Sequence, residues 1–225
     1  MDITAITLSV KLAFWTLLFL VPLSIGVGRW LARTTFRGKL WIEALIALPL
    51  VLPPTVVGYY LLVSMGSHSP LGRFFEQLLG STLAFSFEGL VAASILVNIP
   101  FAVLPVQRSF ESVSRDVREA AQCCGMSTWQ ALRRIELPLA WPGILSATVL
   151  TFGHTLGEFG VVLMVGGNIP GETRTVSIAI YDRIQAFDQT AAGQMALMLL
   201  LLSLVTVGVS YVLAEKWLHR FRSQH

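Results

Sequence analysis

Five stretches of this chain contain no Lys, Arg, Asp or Glu: residues 12–28, 44–72, 89–107, 137–157 and 189–214. A helix needs roughly 20 predominantly apolar residues to cross the ~30 Å hydrocarbon core of a bilayer, and the runs have that length. The first reaches it when Lys11 extends its amine along the helix to the interface. These runs hold charged residues to 13% of the 225, against 54% hydrophobic, and raise the mean hydropathy to +0.69. A soluble domain carries about 25% charged residues. The expectation is an all-α integral membrane protein with five transmembrane helices, near 6–30, 42–65, 90–110, 142–166 and 191–213, in one domain over 1–225.

Orientation follows from the cations, because Lys and Arg accumulate on the cytoplasmic side of short loops. Arg29, Arg33, Arg37 and Lys39 follow the first run, Arg108, Arg115, Arg118, Arg133 and Arg134 the third, and Lys216, Arg220 and Arg222 the fifth. The opposite side holds only Lys11, Arg73, Arg174 and Arg183. The N-terminus is therefore expected outside and the C-terminus in the cytoplasm. The net charge of +3 is explained by topology, so no nucleic-acid partner is needed. The apolar run near the N-terminus is too long for a cleavable leader and ends in no small-residue cleavage site, so it reads as a retained helix. Cys123 and Cys124, the only cysteines, are adjacent and expected on the reducing side. They suit neither a disulfide nor a zinc site, and are expected to be ordinary small packing residues.

The second span contains "LPLVLPPTVVGYYLL", with Pro49, Pro53 and Pro54 close together. Each proline removes a backbone donor and crowds the preceding turn, so this helix is expected to kink. In lipid the freed carbonyls must be satisfied by protein or water, which turns the segment toward other helices or a polar path. Residues 66–87 are expected to be a short outer loop with an interfacial turn near "RFFEQLLG". "TVSIAIYDRIQAF", residues 175–187, has apolar residues at helical spacing among charges, as a helix lying at the interface does.

Residues 118–138, "REAAQCCGMSTWQALRRIELP", are the most polar stretch. Arg118 to Cys124 favour a helix, and Gly125 supplies a left-handed stop without steric cost. Ser127 and Gln130 stand three apart, as in a capping box, and start a second helix. Pro138 and Pro142 are expected to end it. A connector of about 30 residues is far longer than a simple loop requires. The pattern Glu119-Ala120-Ala121, three residues, Gly125, nine residues, Ile135-x-Leu137-Pro138 resembles the cytoplasmic signature of ABC importer permease subunits. The resemblance implies the type I importer permease fold, with a coupling loop at about 112–138 that seats on a separate ATPase subunit. It makes Arg118, Glu119, Ala120, Ala121, Gly125, Ile135, Leu137 and Pro138 the candidate coupling residues. "QCCG" departs from the usual small polar wording before the motif glycine. The chain has no G-x-x-x-x-G-K-[ST] loop to cradle phosphates, so ATP and Mg²⁺ are expected on the partner and no cofactor in this chain.

"LPLVLPPTVVGYYLLVSMG" (48–66) and "HTLGEFGVVLMVGGNIPGETRTVSIAIY" (154–181) resemble molybdate permeases; "GEFG" and "GNIP" are also similar to sulfate and thiosulfate permeases. Tetrahedral oxyanions are thus the implied substrates, molybdate first, with tungstate not separable from it. The implied assembly is a homodimer with two ATP-binding cassette subunits and an extracytoplasmic molybdate-binding protein, in the bacterial inner membrane. A dianion in lipid needs compensating dipoles or charge. The spans offer neutral groups, so Pro53, Pro54, Thr55, Tyr59, Asn98 and Thr151 are candidates for a weakly binding path. Glu158, the one acid well inside a span, repels an oxyanion. It is expected to act in a gate or in a structural pair with His154 one turn earlier, without metal. Arg174 is expected to be a turn residue more than an anion attractor.

Two other classes compete. A stand-alone secondary carrier predicts an inverted repeat and an ion-coupling site of buried acids. An intramembrane enzyme needs converging catalytic groups, and His154 with Glu158 are too few.

Overall fold

A computed structural model describes residues 2–222, and all regular structure among them is helical. Helix α1, Ile3–Arg33, is capped by Asp2, whose Oδ1 accepts from the Ala5 amide at 3.0 Å. Its buried face repeats nearly every fourth residue through Ala5, Ser9, Ala13, Leu20, Ser24 and Gly28. Small residues at that spacing let a second backbone approach closely, which drives packing where solvent offers no hydrophobic force. The partner is α5, Phe87–Glu111, on which α1, α2, α8 and α9 all pack. A Cβ on Gly28 would stand 2.9 Å from Val106 Cγ1 and 3.0 Å from the Gln107 amide nitrogen, so only glycine admits this contact.

The expected kink is a break. Helices α2, Lys39–Val51, and α3, Pro54–Met65, meet at 108° across Leu52 and Pro53. Proline opens α3, where a missing donor costs nothing. The pair still passes from one end of α5 to the other. At the start of α2, Lys39 Nζ lies 3.5 Å from Glu111 Oε1, and Gln107 Nε2 donates to Glu43 at 2.5 Å. At the end of α3, Met65 clusters with Leu83, Ala84 and Val97, near the opposite end of α5. The apolar spans are the four continuous helices, and five with the bent pair counted as one.

Residues 66–87 are more ordered than expected. Helix α4, Pro70–Leu79, is capped by Ser69, whose hydroxyl accepts from the Gly72 amide at 2.7 Å, and closed by left-handed Gly80. Its Phe74 and Leu78 are exposed. The expected helix over 142–166 is two helices, α8, Leu137–Gly157, and α9, Gly160–Gly166, separated by Glu158, which is extended, and Phe159. Gly160 lets α9 press on α3, since a Cβ there would reach Pro54 Cβ at 2.8 Å. Helix α10, Val176–Gln185, lies where 175–187 suggested, its Val176 and Ala179 packed with Ala5 of α1 and Met195 of α11. Helix α11, Gln189–Arg222, buries Ala192 and Met195 and leaves most of its apolar length exposed.

Candidate coupling elbow and polar seam

Between α5 and α8 the chain folds into two short helices, α6, Arg115–Cys123, and α7, Thr128–Ala131. Ser114 caps α6, and Asp116 lies in its first turn, where the helix dipole favours an anion. Gly125 sits at φ +74°, its amide donating to Gln122 O at 2.9 Å while Met126 N donates to Ala121 O at 3.1 Å. These two bonds are the Schellman pair that satisfies the last carbonyls of a helix. The capping box then forms in full: Gln130 N donates to Ser127 Oγ at 3.3 Å, and Ser127 N to Gln130 Oε1 at 2.9 Å.

Within this elbow Ala121 and Ala131 are buried as α6 packs on α7. Glu119, Ala120 and Gln122 face outward, Glu119 held by Arg115 at 2.5 Å, while Arg118, Ile135, Leu137 and Pro138 are half-buried. Cys123 and Cys124 are exposed, contrary to the packing role expected of them. Ala121 fills the inner position of that turn, which leaves both thiols on the outer face.

Pro138 and Pro142 do not end the second helix. α7 runs through a π-helical turn, Leu132–Glu136, straight into α8, and Thr128–Gly157 is one continuous helix. A proline cannot donate and crowds the carbonyl four residues back. Widening the turn, so that Leu137 N bonds to Leu132 O, absorbs that defect. The elbow is thus rigidly continuous with a membrane helix.

A second polar group lies inside the helix packing. Thr16 donates to Ser94 Oγ at 2.9 Å, and Ser94 lies 3.5 Å from Thr155 Oγ1. Asn98, fully buried, donates to Ser94 O at 2.8 Å and accepts from His154 Nδ1–H at 3.1 Å. Phe101 stacks on the His154 ring at 4.1 Å. His154 Nε2 is 3.7 Å from Glu158 Oε2, so the two face each other one turn apart at a distance too long for a direct hydrogen bond. Glu158 instead turns Oε1 to the Val161 amide at 3.0 Å, accepting from the first turn of α9 from the position before its N-cap, Phe159.

The candidate path residues fall into two groups. Asn98, Thr151 and Glu158 belong to this seam among α1, α5 and α8, with Thr151 Oγ1 buried and unpartnered. Pro53, Pro54, Thr55 and Tyr59 mark the break and exposed face of α3. Pro54 and Glu158 Oε1 both lie within 4 Å of the space that a Cβ on Gly160 would take, which sets the two groups side by side there. Arg174 braces its own turn, donating to Asn168 Oδ1 at 2.6 Å and facing Asp182 at 3.6 Å. Ser94, Thr16 and Thr155 were not singled out from sequence, because one hydroxyl in an apolar run looks the same on either face of a helix.

The family of binding-protein-dependent transport system inner membrane components matches residues 21–219. The chain belongs to that family. It is an ABC transporter permease, a transport component whose ATPase is a separate subunit. Among curated relatives, the molybdenum transport system permease protein ModB of Azotobacter vinelandii is 44% identical over 210 residues, 93% of each chain. ModB of Escherichia coli K12 is 38% identical over 216 residues, 96% of this chain and 93% of that one. A probable sulfate transport permease, cysT of Chlorella vulgaris, is 30% identical over 91% of this chain and 77% of its own. The permease superposes on a bacterial ABC transporter involved in alginate import with a TM-score of 0.77 at 19% identity, covering 95% of this chain and 79% of that one. For the inward-facing MetNI methionine transporter the TM-score is 0.73 at 16% identity, covering 96% and 95%. At such identities the superpositions speak to the fold, which is that of the ABC importer permeases.

Proposed function

We propose that this permease is the membrane-spanning subunit of an ATP-driven molybdate importer. The observation that carries the reading is the 44% identity to a molybdenum permease over 93% of both chains, against 30% for the sulfate relative over a smaller share of its length. The working assembly is a homodimer with two ATP-binding cassette subunits and an extracytoplasmic molybdate-binding protein. The N-terminus lies outside and the elbow inside, where Arg118, Glu119, Ala120, Ala121, Gly125, Ile135, Leu137 and Pro138 seat on the ATPase. ATP with Mg²⁺ is bound and hydrolysed there, and nucleotide biases the permease between inward- and outward-facing states. The oxyanion passes along neutral dipoles near the α2–α3 break, with affinity residing in the binding protein. Support for the elbow's role comes from its completed caps and its unbroken continuation into α8, which suit a lever.

The test is uptake by vesicles containing the permease, its ATPase and its binding protein. Molybdate should accumulate only with ATP inside, tungstate should compete, and excess sulfate should not. Preferential uptake of sulfate would replace the molybdate assignment with the sulfate one.

A further inference from the structure

Glu136 is the most deeply buried acid among the described residues, at 2% exposure. It stands between Ile135 and Leu137, at the one place in that end of the signature to which the motif assigns nothing. In three dimensions it is held by two cations of a different helix. Arg29 Nε meets Oε2 at 2.8 Å, and Arg33 pairs with Oε1. The two arginines are one turn apart near the end of α1, so both guanidinium groups converge on a single carboxylate.

The surroundings make this clamp a mechanical link. α6 packs on α7, and a cavity of about 490 Å³, bounded by Ala32, Arg33, Arg115, Arg118, Thr128 and Glu136, separates the elbow from the end of α1. Glu136 closes the π turn that leads into α8. At the same level Gly28 locks α1 onto α5 through Val106 and Gln107. A displacement of the elbow therefore reaches α8 along the helix and reaches the α1–α5 pair across the clamp. The clamp also has room to slip, because Arg29 keeps Nη2 buried and unpartnered beside the occupied Nε. A carboxylate can move from one nitrogen of the fork to the next without leaving the arginine.

We propose that Glu136 is a positioning residue for coupling, seated on Arg29 and Arg33, that conveys the elbow's stroke to α1. This rests on the importer reading above. It concerns energy transfer and not substrate identity.

The experiment uses the complete complex in vesicles and measures anion taken up per ATP hydrolysed, beside the assembly state. In Glu136→Gln the ratio should fall about tenfold, a change typical of lost coupling between two sites. The full exchange of charges, Arg29→Glu and Arg33→Glu with Glu136→Arg, should bring the ratio back to within about twofold of the parent, because opposed charges are restored across both contacts. A parent-like ratio in an assembled Glu136→Gln complex would overturn the proposal. If that variant does not assemble, the exchange variant decides: assembled and coupled supports the clamp, assembled and uncoupled overturns it. Failure of both to assemble also overturns it, since the pair then serves stability alone. A parent complex that prefers another anion counts against molybdate only, and the ratio is read with that anion.

Discussion

Gly125 shows how much one residue specifies in the elbow. Its φ of +74° costs a residue with a Cβ about 1 kcal/mol, although a Cβ there would meet no neighbouring atom. The penalty is conformational, so Gly125→Ala should melt α6 earlier and loosen its packing on α7. We expect reduced co-purification of the ATPase and faster amide exchange over 115–123, with α1 and α5 unaffected. Unchanged exchange would show that α6 does not depend on its left-handed stop. Glu136 and its arginines illustrate the opposite case. A carboxylate one position before Leu-Pro looks solvent-exposed in sequence, and only folding brings Arg29 and Arg33, over a hundred residues earlier, onto it. Cys123 and Cys124 were misjudged for a related reason, since the turn has one inward position and Ala121 occupies it.

At the scale of elements, the second and fourth spans are interrupted where they touch each other. Pro53 and Pro54 announce the first interruption. Glycines flank the second, and Glu158 supplies an acceptor to the first turn of α9. Replacing Glu158 with Ala removes an oxygen that holds the Val161 amide and should cost about 1 kcal/mol, typical of a lost N-cap. Amide exchange over 160–166 should then accelerate about fivefold. Glu158→Gln keeps a carbonyl oxygen in the same place and should leave that exchange near the parent rate. Equal acceleration in both variants would point to the charge and not the hydrogen bond. The π turn before Pro138 was not legible, because whether a proline ends a helix or widens it depends on what holds the flanking turns, and here Glu136 is anchored to α1.

For the whole molecule, the topology can be read with the protein's own thiols. Cys123 and Cys124 are the only cysteines and both are exposed on the elbow. A membrane-impermeant maleimide should label them in inside-out vesicles and not in intact cells, and bound ATPase should protect them. Labelling from outside would invert the assigned orientation and with it the coupling role.

The apolar spans, the elbow and its caps, and the family were written in the sequence, because each depends on local spacing: uncharged length against bilayer thickness, a glycine stop, a capping pair. The tertiary structure decided the rest. It turned a kink into a 108° break, joined elbow to membrane helix, and divided the candidate polar residues between the exposed face of α3 and a buried seam. Apolar composition says that a helix sits in lipid. Which side of it meets protein is set by the close approach of backbones at Gly28 and Gly160, between elements far apart in the chain.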